Sequence, residues 1–158
     1  MKKIQILNWI LRSLILLTFL ATCFSVYIFI SLYNSPPIDY SKVFPAYLPY
    51  TTILSGALFL VAMIYLQLSV NLFIKQGFFN TKSSGYLKLG AIFLALFGLT
   101  DITIATINNA FKANYDLLDY LNNNSSHIVT LIVTIGIFIV ADIIKSGVTI
   151  KQENDLTI

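Results

Sequence analysis

The fold class this sequence predicts is all-α and membrane-embedded: a bundle of four transmembrane helices, forming one domain over residues 1–158. Three observations lead there. Of the residues, 57% are hydrophobic and 11% charged, with a mean hydropathy of +0.80, too little charge to cover an ordinary soluble domain. Four apolar stretches reach the length of about 20 residues that a hydrocarbon core of roughly 30 Å requires of a helix. Backbone polar groups in lipid must be satisfied within the segment, so each stretch is expected to be helical. Lastly, the Lys and Arg residues gather on alternate sides of these stretches.

The first span is expected over Ser13–Tyr33, after Lys2, Lys3 and Arg12. A basic start before an apolar run also suits a secretory signal, and Leu20-Ala21-Thr22-Cys23 approaches a lipoprotein cleavage box. Such a box wants a smaller residue than Thr22 before the cysteine, and the apolar run continues to Tyr33, so an uncleaved helix is expected. The next segment, "NSPPIDYSKVFPAYLPY", carries all four prolines, Pro36, Pro37, Pro45 and Pro49. Each lacks an N–H and fixes its own φ, which predicts an irregular connector.

The second span is expected over Thr51–Ile74 and the third over Leu87–Ile107. Between them, Gly77 suits a helix end, Asn80 suits the cap of the next helix, and Phe78 and Phe79 suit interfacial anchors. After the third span, Phe111, Tyr115, Leu118 and Leu121 recur at helical spacing, predicting a short helix lying on the membrane or bundle. Asn122–Ser126 then reads as a turn before a fourth span over Ile128–Ile144, which leaves a polar tail at residues 145–158.

Eight of the ten Lys and Arg residues lie at the two ends and in the loop between spans two and three, leaving Lys42 and Lys112 in the other loops. The positive-inside rule then predicts a multi-pass protein of the inner, cytoplasmic membrane with both termini in the cytoplasm. The bilayer itself is the first partner. The net charge of +3 is explained by this topology, and direct nucleic-acid binding is not expected.

Polar residues inside spans carry the functional expectations, because an ionised group at the bilayer centre costs about 2.5 to 3.5 kcal/mol on insertion scales. Asp101 lies 13 residues after Lys88, roughly 20 Å along a helix, with no basic residue at its depth within a span. It is a candidate intramembrane acid for an ion or a proton, or else a hydrogen-bonded packing residue. Gly98, Asp101, Ala105 and Asn108 share a small, polar face. Nearer the inner boundary, Arg12, Asn71 and Asp142 are expected at similar depth, with Gln67 one turn from Asn71. They form a candidate polar cluster, or else reach water separately.

His127 and Cys23 are single and expected on opposite sides of the membrane, which disfavours a zinc site or a Cys–His nucleophile. No glycine-rich nucleotide motif occurs. No cofactor, no metal and no enzymatic activity are expected.

The inner loop residues Gly77, Phe79, Leu87, Lys88 and Gly90, and the ending "ADIIKSGVTIKQENDLTI" with Asp142, Gly147, Glu153, Asn154, Asp155, Leu156, Thr157 and Ile158, carry a resemblance. In these segments the chain resembles the domain-of-unknown-function 2975 family of small bacterial four-span membrane proteins. That resemblance implies no activity. It implies a cytoplasmic protein partner, in particular a helix-turn-helix regulator encoded beside such proteins.

The leading expectation is therefore an interaction or regulatory protein that engages a cytoplasmic partner through the inner loop and the C-terminal tail. A transporter or channel subunit using Asp101, working as a homo-oligomer, is the alternative. A purely structural bundle is the third.

Overall fold

The structure, a computed structural model, describes residues 2–33, 47–109 and 117–155. These form four helices: α1 (Lys2–Tyr33), α2 (Leu48–Gln76), α3 (Thr81–Asn109) and α4 (Leu117–Asp155). All four are long and apolar enough to cross a membrane, the apolar windows lying in Lys3–Leu32, Leu48–Gln76, Thr81–Asn108 and Asn124–Asn154. The chain is a multi-pass membrane protein. Pro36, Pro37 and Pro45 of the first connector, Phe111 and Tyr115 of the third, and Leu156, Thr157 and Ile158 lie outside the described residues.

Each helix outruns its expected span, because hydropathy marks the hydrocarbon crossing and not the helix end. Propagating a helix past the apolar region adds a hydrogen bond per residue, whereas stopping and restarting one requires a new nucleus. Thus α1 begins at Lys2, and the expected polar tail is helical through Asp155. Pro49 belongs to the first turn of α2, where its missing N–H has no partner to lose. The turn expected at Asn122–Ser126 is corrected: α4 runs through it without a break. There Asn124 Nδ2 donates to Tyr120 O at 3.0 Å and Ser125 Oγ to Asn122 O at 3.0 Å, so these side chains bond back along the helix.

The helices pack in chain order, α1 on α2, α2 on α3 and α3 on α4. On α1 the residues withdrawn from the surface, Ile4, Asn8, Leu11, Ile15, Thr18 and Thr22, alternate four and three apart, the seam of a two-helix coiled coil. Much of the remaining surface of α1, including Leu16, Leu17, Phe19, Leu20 and Phe24, is exposed and apolar, as a lipid-facing surface must be. Leu11, Met63 and Val70 form one buried cluster between α1 and α2. Leu87, Ala141 and Ile144 form another between α3 and α4, with Leu66 and Phe73 of α2 against it.

Small residues bring α2, α3 and α4 close. A methyl group on Gly90 would stand 2.9 Å from Leu66 Cδ2 and 3.3 Å from the Ala62 carbonyl oxygen. Hydroxyls tie the helices across these contacts. Ser69 Oγ lies 2.7 Å from Ser83 Oγ between α2 and α3, and Ser84 Oγ donates to Ala141 O at 2.7 Å between α3 and α4.

Candidate functional site

Two groups of polar and special residues stand apart from this packing, one at each end of the helix row. The first centres on Asp101. Ser55 Oγ on α2 donates to Asp101 Oδ1 at 2.6 Å, and His127 Nδ1 on α4 lies 3.5 Å from Asp101 Oδ2. The expectation of no basic partner at this depth is therefore corrected. The two side chains are 19% and 26% exposed, and Ser55 is buried, so three helices meet at a largely buried carboxylate.

Local sequence builds the site. Gly98 lets α4 approach, since a methyl there would stand 3.2 Å from Leu131 Cδ2 and 3.6 Å from the His127 carbonyl oxygen. The Phe97 ring meets the imidazole edge-on, with ring centroids 6.4 Å apart. Toward the helix ends, the Tyr47 hydroxyl donates to Asn108 Oδ1, and Thr106 Oγ1 lies 3.4 Å from the Tyr120 hydroxyl. Asn124, also on α4, is fully buried, and its Oδ1 has no hydrogen-bond partner among the described residues.

The signal that finds His127 is hairpin register. Asp101 lies eight residues before the end of α3 and His127 ten residues after the start of α4, so antiparallel packing sets them side by side. Reading Asn122–Ser126 as a turn hides this register, because it starts the fourth helix beside His127 instead of at Leu117.

At the opposite end, which we call the Gly77 end, the expected group of Arg12, Gln67, Asn71 and Asp142 is divided among other partners. Gln67 Nε2 donates to Asn8 Oδ1 at 3.2 Å, and Arg12 lies over the Trp9 ring, 6.0 Å from its centroid. Asp142 pairs with Lys88 on α3, both partners reaching the surface. Asn71 is half-buried on α2. Arg12 and Asp142 sit on α1 and α4, which pack on different neighbours, so equal depth does not make them a pair.

The loop at this end is built from special residues. Gly77 ends α2 at φ 87° and ψ 173°, a region open in practice to glycine alone. Asn80 Oδ1 accepts from the Lys82 N–H at 2.8 Å and so caps α3. The Phe78 ring stacks on Phe73 with centroids 4.7 Å apart. Phe79 turns the other way, onto α4, where its ring occupies the space a side chain at Gly147 would need. Thus Phe79, two residues past Gly77, meets Gly147, and the helix beyond Gly147 carries Glu153, Asn154 and Asp155 in its last turns.

Among the described residues no three His, Cys, Asp or Glu side chains are grouped to hold a metal ion. No protein-family profile, curated protein or solved structure matches the chain.

Proposed function

We propose that the chain is a membrane-embedded interaction protein whose Gly77 end docks a cytoplasmic protein. The observation that carries this reading is the Phe79 ring seated against Gly147. A ring closing on a glycine joins the α2–α3 loop to the C-terminal part of α4, so the loop and the helical tail present one surface. Exposed Phe78 and Ile150 give that surface apolar anchors, with Lys145, Lys151 and Gln152 exposed around them. The distribution of Lys and Arg supports placing this end, and both termini, on the cytoplasmic side of the inner membrane. The resemblance of the tail makes a helix-turn-helix regulator the first partner to test.

Co-purification from membranes tests the proposal. The intact chain is expected to retain its partner through washing, and deletion of residues 153–158 or the substitution Phe79→Ala is expected to release it. A partner that persists through both changes contradicts the docking surface.

A further inference from the structure

At the end of the row away from Gly77, we propose that Asp101, His127 and Ser55 form a proton-binding site that locks α3 to α4. Hydroxyls alone can cross-link these helices, as Ser69 with Ser83 and Ser84 with Ala141 demonstrate in the same molecule. Here the chain instead sets a carboxylate among apolar spans, where the charge is costly. It faces that carboxylate with the chain's one histidine, whose side-chain type changes charge between about pH 5 and 8.

The groups facing the pair are few. From α2 comes Ser55, whose hydroxyl is committed to Oδ1. On α3 Asp101 is the acid, and on α4 His127 is the base, with Phe97 beside its ring. Tyr47 and Tyr120 lie nearer the helix ends, engaged with Asn108 and Thr106. Among the described residues no Lys or Arg is in ion-pair contact with Asp101 or His127.

Proton binding changes what the pair can do. A proton from the aqueous phase on this side adds to the free lone pair of the imidazole, no other bond breaks, and the pair goes from net −1 to net zero. The imidazolium then donates through Nδ1 toward Oδ2, where 3.5 Å is within ion-pair reach and leaves room to tighten. When the proton returns to water, the carboxylate keeps the Ser55 hydroxyl but loses its counter-charge on α4. The α2–α3 contact persists while the α3–α4 contact weakens.

Polar side chains lie between the site and the near helix ends. Asn108 lies seven residues along α3 from Asp101, about 10 Å at helical rise. Thr106, Tyr120, Tyr47 and Asn108 occupy that interval with hydroxyl and amide groups. Asn124, one turn from His127 on the same face of α4, is fully buried and its acceptor oxygen has no hydrogen-bond partner among the described residues.

The test uses the full chain with Cys23→Ser, spin-labelled at Ile107→Cys and Leu121→Cys, two exposed positions on α3 and α4, in lipid nanodiscs. The distance distribution between labels is expected to shift between about pH 5 and about pH 8, spanning the histidine range. The shift should be lost in His127→Gln and in Asp101→Asn. A shift that survives either substitution, or none in the parent chain, overturns the proposal. Should either variant fail to fold, nitrogen-15 NMR of the single histidine in the spin-labelled parent decides. An imidazole signal that changes over the same pH interval as the label distance supports the site, and one that stays constant across it overturns it.

Discussion

Replacing Gly147 by alanine isolates the contact on which the docking surface depends. In a helix interior Gly→Ala gains roughly 1 kcal/mol through backbone entropy. Gly136, on the same helix, has open space where the methyl would go, so Gly136→Ala should collect that gain in full. At Gly147 the methyl would overlap the Phe79 ring, which must move away. Phe79 is 52% exposed, so about half its surface is covered in place. Full burial of such a ring stabilises by about 1.5 to 3 kcal/mol, so displacing it costs about 1 kcal/mol. Propensity gain and contact loss nearly cancel, and overall stability should change by less than about 1 kcal/mol. The loop, however, loses its hold on α4. A local opening made easier by about 1 kcal/mol is populated about five times more. Limited trypsin digestion of the detergent-solubilised protein reads this at Lys75 and Lys82, exposed residues flanking the loop. Cleavage should be about five times faster in Gly147→Ala and unchanged in Gly136→Ala. Equal rates in Gly147→Ala and the parent chain would refute the reasoning.

Gly90→Ala should destabilise the protein by about 1 to 3 kcal/mol in thermal unfolding, because the methyl meets Leu66 and also the Ala62 backbone, which cannot swing aside. A double-mutant cycle over Ser69→Ala and Ser83→Ala should give a coupling of about 0.6 to 1.7 kcal/mol, the range of interhelical hydrogen bonds in membranes, and additive losses would contradict the pairing. In a Cys23→Ser background, a cysteine at exposed Gln152 should react with an impermeant thiol reagent only from the cytoplasmic face, and one at exposed Leu118 only from the opposite face.

The described helices and the special residues of the loop were legible in the sequence for a simple reason. A run of about 20 apolar residues has few alternatives to a membrane helix, and Gly77 and Asn80 each have a backbone role that few other residues fill. Neighbour relations were less legible. Similar expected depth suggests Arg12 and Asp142 as a pair, but depth says nothing about which helices touch, and α1 packs on α2 while α4 packs on α3. Asp101 stands out by its cost in lipid, yet the sequence hides its partner because the Asn-rich stretch before His127 reads as a turn by propensity. Tertiary packing of α4 on α3 overrides that propensity, and the Asn124 and Ser125 side chains bond back along the helix. Gly147 and Phe79 lie 68 residues apart in the sequence, and only the packed structure places one against the other.

The most direct test of the docking account is site-specific photo-cross-linking in whole cells, with the reactive group at Phe78 on the loop or at Gln152 on α4, both exposed. One surface predicts one partner, captured from both positions and lost from both in Gly147→Leu. Two different partners, or capture from one position that is indifferent to Gly147→Leu, would contradict it.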